Sequence, residues 1–406
     1  MPPQPRQVLM LRFIAACVVG LVAMSGRAVA QEAVVAAHDA AIRSATDTIR
    51  PLLAAFHERA GFPGATIGFV LPGDGSEHGS VSVGLAFKET GERMTAEHRM
   101  MAGSTGKTFY AAVALQLAGE GVLDLDAKIS TWLGDEPWFD RLPNADDITL
   151  RMLMNHTSGW PEYVGQPALI QAIVDDPDKH FATGEQLSYI VDLEPVHPAG
   201  EGWSYSDTNY IAVSMIIEKA TGDACPNLIF NRLLRPHELW DITPSTSRDM
   251  VGMAGGYDTP GDNLFRLEKE NVIQNGRFVF NPQMEGGGGG FASTPEALAR
   301  WAYLLYSGGV LQEATQKAMR TTVEARRLGP NARYGLALIE RPSDLGTVIG
   351  HSGFFPGYLT DMSHYVDHDL SLAFQVNTSA ISRELNPRAI QRLLDECAKA
   401  ILEEGE

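Results

Sequence analysis

Apolar alternation of period two appears near both ends of this 406-residue chain and gives way to helical periodicity in its middle, which restricts the available folds more than any other feature. A helix-like segment over 34–59 leads to a strand pattern at Ala65–Leu71, a turn at Pro72–Gly75 and a second strand near Ser80–Phe87. From Asp124 to about Gly290 the pattern is helices joined by long Pro- and Gly-punctuated loops, with one hairpin at Gln274–Arg277, where Asn275-Gly276 suits a type I′ turn. Thr294-Pro295-Glu296 starts a helix that runs to Tyr306. Strand patterns return at Tyr334–Ile339, Thr347–His351, Tyr358–Val366 and Leu370–Asn377, and a closing helix covers Pro387–Leu402. Strands at both ends with helices between predict an α+β protein. Residues 31–123 and 291–406 share one sheet, residues 124–290 form an inserted, mostly helical domain, and the cleft between them holds the site.

Ser104 stands three residues before Lys107 at the head of the apolar stretch Thr108–Leu117, so hydroxyl and ammonium lie on one face of a single helical turn. A serine hydroxyl is a weak nucleophile until its proton can pass to a neighbouring amine or phenolate. Gly103 and Gly106 beside it let backbone approach a ligand closely. Tyr205-Ser206-Asp207 and Gly350-His351-Ser352-Gly353 follow in order. Together the three segments resemble the active-site motifs of the serine β-lactamase and penicillin-binding protein superfamily, in particular its class C-like branch. The resemblance runs from about Phe62 to Thr378. It takes in Leu153-Met154-Asn155-His156-Thr157-Ser158-Gly159 and the glycine run before Phe291-Ala292-Ser293-Thr294.

The resemblance implies an antiparallel sheet flanked by helices that meets an all-α domain. It implies Ser104 as the acylated nucleophile, Lys107 as proton relay and Tyr205 as general base or acid. His351 then stands where many relatives carry lysine, Ser352-Gly353 forms a strand edge for substrate, and the backbone N–H groups of Ser104 and Phe354 form an oxyanion hole. Asp207 departs from the pattern, because most relatives have asparagine there to bind the substrate amide and the lysine. If Asp207 faces Lys107, its carboxylate holds the amine charged and favours Tyr205 as the base. Asn209 is the alternative residue to meet the substrate amide. On their own residues, Trp203, Tyr205 and Tyr210 equally fit a core aromatic cluster, and Asn155 and His156 read as loop supports. Gly286–Gly290 fits a flexible surface loop as well as a tight backbone approach.

Arg6 and Arg12, the apolar run Phe13–Met24 and Ala28-Val29-Ala30 make residues 1–30 a signal peptide, which places the mature protein in the periplasm or outside the cell. The run is too short for a membrane span of about 20 residues. Ile14-Ala15-Ala16-Cys17 also matches a lipobox; a lipid anchor at Cys17 ranks lower because Arg12 leaves almost no apolar segment ahead of it. The formal net charge of −18 becomes −21 once Arg6, Arg12 and Arg27 leave, which disfavours nucleic acid and anionic lipid as partners. Cys225 and Cys397 then remain, read as separate buried thiols in preference to a bridge. No His or Cys spacing suits a metal, and no cofactor is implied. Gly-Lys-Thr at 106–108 resembles a phosphate-binding loop, but Met101 occupies the required glycine position. The resulting expectation is an exported serine hydrolase, DD-carboxypeptidase-like on D-Ala-D-Ala peptides, with β-lactams and short-chain esters as alternative substrates. A catalytically inactive cell-wall-binding protein is the rival of another class, disfavoured because Ser104, Lys107, Tyr205 and His351 are all present.

Overall fold

The computed structural model describes residues 36–261 and 263–404. The expected signal peptide, its cleavage site near Ala30 and Cys17 lie outside these residues. Helix α1 (36–60) buries Ala45, Ile49, Leu53 and Phe56 at spacings of three and four, the apolar stripe of a helix lying on a sheet. Among the described residues the sheet has nine strands: β1 (Gly64–Val70), β2 (His78–Phe87), β3 (Glu92–Arg93), β4 (Val323–Glu324), β5 (Arg333–Tyr334), β6 (Ile339–Ser343), β7 (Gly346–Phe355), β8 (Tyr358–Tyr365) and β9 (Leu370–Val376). Their spatial order is β3-β2-β1-β9-β8-β7-β6-β5-β4, and every pairing is antiparallel. β1 joins β9 with Ala65 opposite Val376, so the two ends of the chain close one sheet, as the sequence predicts.

Four helices complete the frame: α2 (Lys107–Gly119), α3 (Thr208–Thr221), α4 (Pro295–Tyr306) and α5 (Pro387–Glu404). On one face of the sheet Ile67, Phe69, Leu372 and Phe374 pack with α1 and with Leu393, Leu394 and Cys397 of α5. The other face receives α4, whose start is capped by the Thr294 hydroxyl accepting from the Ala297 N–H. Behind α4 lies α2, apolar and buried on nearly all sides; the Trp301 indole stacks on Phe109 and donates to Thr108 Oγ1 at 2.8 Å. Helix α3 is likewise buried all round, so both are core helices of the region between the two sets of strands. Among the described residues Cys225 and Cys397 form no disulfide and lie in separate apolar clusters.

The Asn275-Gly276 hairpin forms, with φ of 53° and 78° at the two turn residues. Two strand expectations change. The pattern at Tyr334–Ile339 is broken at 335–338, where Ala337 takes φ 55° and Gly335 N–H donates to Leu338 O, leaving two short strands in place of one. The strand expected at Thr347–His351 runs on to Phe355. Ser352-Gly353 interrupts apolar alternation, so period alone cannot carry the strand through it. β6 accompanies β7 only as far as the pair Ile339–Gly350, and beyond that point the edge of β7 is open.

Sheet and helix approach closely at Gly68, where a Cβ would come within 2.4 Å of Pro295 O at the start of α4. Gly68→Ala is expected to lower folding stability by about 1–3 kcal/mol through overpacking. Chemical denaturation of both proteins, compared at equal m value, measures it.

Candidate active site

Ser104 sits in a single 3-10 turn, Gly103–Gly106, that feeds directly into α2. The chain reaches this turn through Met100–Met101, paired with Phe291–Ser293 in a three-stranded side sheet that also contains Ile242–Pro244. Thr360 Oγ1 of β8 and Gln375 Nε2 of β9 donate to the carbonyls of Met101 and Met100, which fixes the turn over the main sheet. The left-handed φ of 53° at Gly103 and its fit against β7 both require glycine: a Cβ there would lie 2.6 Å from Phe354 O and 2.7 Å from Phe354 N. Gly353 is equally tight, its missing Cβ falling 2.0 Å from Ala102 O.

Lys107 is fully buried, and each of its three ammonium protons has an acceptor. Nζ donates to Ser104 Oγ at 2.9 Å, to Asp207 Oδ1 at 2.5 Å and to the carbonyl of Gly288. Burial works to lower its pKa, but Asp207 first and Tyr205 second outweigh it, and the amine is held above the ordinary lysine range. Asp207 therefore does face Lys107. It arrives there as the residue preceding α3, with its N–H donated to Glu162 Oε2 at 2.7 Å. Ser206 and Thr208 hydroxyls both donate to Pro161 O, tying the 160–163 segment to the start of α3.

The glycine run takes the tight-approach reading. Gly287–Gly290 are buried, a Cβ on Gly106 would lie 2.0 Å from Gly289 O, and Gly286 and Gly290 have φ of 46° and 65°. Glu285 holds the run by accepting from Gly290 N–H at 2.9 Å, and burial raises its pKa to about 8. Glu162 is raised to about 7, by burial and then by Asp207. Both glutamates beside Lys107 are thus held above the ordinary carboxylate range, and Asp207 is the carboxyl that pairs with it directly.

Tyr205 belongs to an aromatic group with Trp203, His156 and Tyr334, yet its buried Oη has no hydrogen-bond partner among the described residues. Lys107 Nζ lies 5.0 Å from its ring centre. Burial pushes the phenol pKa up to about 12, against the pull of Lys107 in the other direction. His351 is buried, with Nε2 2.8 Å from Tyr334 Oη and Nδ1 2.7 Å from Ser352 O. Burial, then Lys107, lowers it to about 3, so the ring is neutral.

Phe355 and Tyr358 close the two-residue hairpin between β7 and β8, so alternate residues of β7 bond toward β8, and Ser352 and Phe354 turn their N–H and C=O groups to the open edge. Ser104, Tyr205, His351 and this edge line one cavity of about 210 Å³. Its remaining wall is largely apolar: Leu328, Ile339, Phe354, Ile381, Pro387 and Ile390, with Phe354 46% and Ile381 61% exposed. Of the eight residues singled out from the sequence, Ser104, Tyr205, His351, Ser352, Gly353 and Phe354 line this cavity, and Lys107 and Asp207 stand behind Ser104 and join it through the Lys107 hydrogen bonds. Asn209 does not join them. It is fully buried, its Oδ1 accepts from Ser158 Oγ at 2.6 Å and its Nδ2 contacts His156 Nδ1 at 2.9 Å.

Three participants carried no motif of their own: the Gly288 carbonyl, Glu162 and Tyr334. Glu162 was reachable, since Pro161-Glu162 stands just one residue, Trp160, beyond the Leu153–Gly159 segment. Tyr334 was visible only as a strand residue.

Residues 47–395 match the family model described as Beta-lactamase. Penicillin-binding protein 4* of Bacillus subtilis (strain 168) is 28% identical over 293 residues, covering 68% of this chain and 59% of that protein. Esterase EstB of Burkholderia gladioli is 26% identical, covering 75% of this chain and 84% of the esterase. The crystal structure of a D-stereospecific amidohydrolase from Streptomyces sp. superimposes with a TM-score of 0.69 at 26% identity, covering 80% of this chain and 93% of that one.

Asp207→Asn removes the carboxylate that outweighs burial at Lys107, so the lysine pKa falls and the basic limb of the pH–rate profile moves to lower pH. The amide also restores a donor for substrate carbonyls, and acylation by β-lactams is expected to rise relative to ester hydrolysis. Rates for nitrocefin and p-nitrophenyl acetate across pH 6–11 measure both effects; an unmoved limb would mean that Asp207 does not set the Lys107 charge.

Proposed function

Because the chain belongs to the beta-lactamase family, we propose that this serine hydrolase works through an acyl-enzyme on Ser104. The carrying observation is the saturation of Lys107: with all three protons engaged, one of them on Ser104 Oγ, the ammonium cannot accept the serine proton. Tyr205, beside Lys107 and lining the cavity with Ser104, is the nearby group that can take it. In the reacting form, reached when the Tyr205 phenol has lost its proton to solvent, the phenolate, stabilised by the Lys107 ammonium, takes the Ser104 proton as Oγ attacks the carbonyl and returns it to the leaving group. The N–H groups of Ser104 and Phe354 receive the oxyanion, a contribution of about 3 kcal/mol per donor. Water then repeats the sequence in reverse order, with Tyr205 again as base, and frees Ser104.

For substrate we propose peptides ending in D-Ala-D-Ala, cleaved in the periplasm or outside the cell after removal of a leader. The three ordered motifs support this reading, as do the similarity to penicillin-binding protein 4* and the likeness to a D-stereospecific amidohydrolase. Short-chain ester hydrolysis is the second reading. It is favoured by Asp207, which removes the amide that would greet a peptide or β-lactam, and by the similarity to esterase EstB. Hydrolysis of a D-Ala-D-Ala peptide, nitrocefin and p-nitrophenyl acetate side by side ranks the three.

Ser104→Ala is expected to abolish both turnover and covalent labelling by a fluorophosphonate while the protein still folds. Peptide mass mapping of the labelled wild type checks the position, and label on another serine refutes the assignment. Tyr205→Phe is expected to lower turnover at least about a hundredfold with little change in melting temperature, since it deletes one proton-transfer atom and keeps the ring. A melting temperature that falls in step with activity would return Tyr205 to the aromatic core.

A further inference from the structure

His351 and His156, two buried histidines on opposite sides of the cleft floor, are joined through Tyr334 by a run of hydrogen bonds whose direction is dictated at both ends. Trp160 N–H can only donate, and it does so to Ser158 Oγ at 3.1 Å. The Ser158 hydroxyl proton is then available for Asn209 Oδ1 at 2.6 Å, which turns Asn209 Nδ2 toward His156 Nδ1 at 2.9 Å. Ser206 N–H also points at His156 Nδ1, at 3.3 Å, so that nitrogen is an acceptor and the ring proton sits on Nε2. Nε2–H faces Tyr334 Oη at 3.2 Å, the phenol proton goes on to His351 Nε2 at 2.8 Å, and His351 Nδ1–H ends on Ser352 O at 2.7 Å, a group that can only accept. Reversing the run would put the His351 Nδ1 lone pair against the Ser352 carbonyl and leave Ser206 N–H facing another N–H.

We propose that Tyr334 and His156 are positioning residues that lock His351 as a neutral Nδ1–H tautomer, and that this directed run braces the open edge of β7 and the Tyr205 ring on either side of Ser104. The role in the reaction rests on the acyl-enzyme reading above. Both nitrogens of His351 are occupied, so it offers substrate neither a charge nor a free donor. What it fixes is the carbonyl of Ser352, which adjoins the Gly353-Phe354 segment facing Ser104. On the other side the His156 ring lies 4.2 Å from that of Tyr205, with Tyr334 edge-on to Tyr205 at 6.0 Å. Lys107, paired with Asp207, is the charged group that bears on both histidines. Its positive charge favours two neutral rings. The run joins the segment before α3 to β5 and β7, so it bolts the helical wall of the cleft to the sheet wall.

Long-range 1H–15N spectra of the ring nitrogens in the resting wild-type protein test the tautomers without any substrate. The expected result is His156 protonated on Nε2 and His351 on Nδ1, both neutral at pH 5.5. A His351 imidazolium at that pH, or an Nε2–H tautomer, overturns the proposal. For the reaction, Tyr334→Phe is expected to lower kcat at least tenfold with KM changed less than threefold, and to shift the His156 Nε2 resonance across the gap. An unchanged kcat in a folded variant overturns the positioning role, whereas an inactive wild type with the expected tautomers counts against the acyl-enzyme reading alone. Should Tyr334→Phe fail to fold, Ser158→Ala, at the far end of the run, serves in its place; a His351 spectrum indifferent to that change means the run does not act as one unit.

Discussion

The ammonium of Lys107 is the point on which the cleft is assembled. It is fully buried, so its three protons call for acceptors within the protein, and it finds them on three separate parts of the chain: Ser104 one turn away, Asp207 at the start of α3, and Gly288 in the glycine run. Breaking one partner of such a pair leaves a buried charge uncompensated, which typically costs about 3–5 kcal/mol. The demand of one charge for hydrogen-bond acceptors therefore sets where the nucleophile turn, the helical wall and the glycine run sit relative to one another. The same demand bears on the proposed chemistry. A lysine held this way keeps its charge and its protons engaged, and in the mechanism proposed above proton transfer falls to Tyr205.

Much of this was legible in the sequence because chemistry and period coincide there. The antiparallel sheet closed by the two ends of the chain, the Thr294 cap and the Asn275-Gly276 hairpin follow from local rules that tertiary packing did not overrule. Ser104, Lys107 and Tyr205 were legible for a different reason, since three short motifs in a fixed order carry more information than any spacing. The extension of β7 through Ser352-Gly353 was hidden, because Ser352-Gly353 interrupts the apolar alternation that marks a strand. Asn209 misled for a related reason: its side chain suits substrate recognition, but only three-dimensional packing reveals that Ser158 and His156 have already claimed it. Tyr334 and Gly288 act through a ring set by a distant strand and through a backbone carbonyl, neither of which leaves a residue-type signature.

Glycine is used here for what it omits. Gly103, Gly106, Gly289 and Gly353 bring backbone against backbone around Ser104, where any Cβ would collide. The carbonyl of Gly288 reaches Lys107 only because the run Gly286–Gly290 can fold back through left-handed conformations that other residues resist. Close-packed backbone is also stiff, which suits a site whose donors must be aimed before the substrate arrives.

The pairing of β1 with β9 has a consequence for the order in which the molecule can be built. The two strands lie about three hundred residues apart, and β1 is buried on both faces in the finished protein. On a chain synthesised from its N-terminus, β1 and β2 are made early but remain a half-sheet with an apolar, unpaired edge until residues 370–376 appear. The centre of the sheet is therefore among the last parts to close, and the Ser104 turn, anchored by Thr360 and Gln375, is held in place only then. A nascent or prematurely terminated chain thus carries the serine and the lysine without the frame that makes them a site, so any hydrolytic competence arises only after the C-terminal strands have been made.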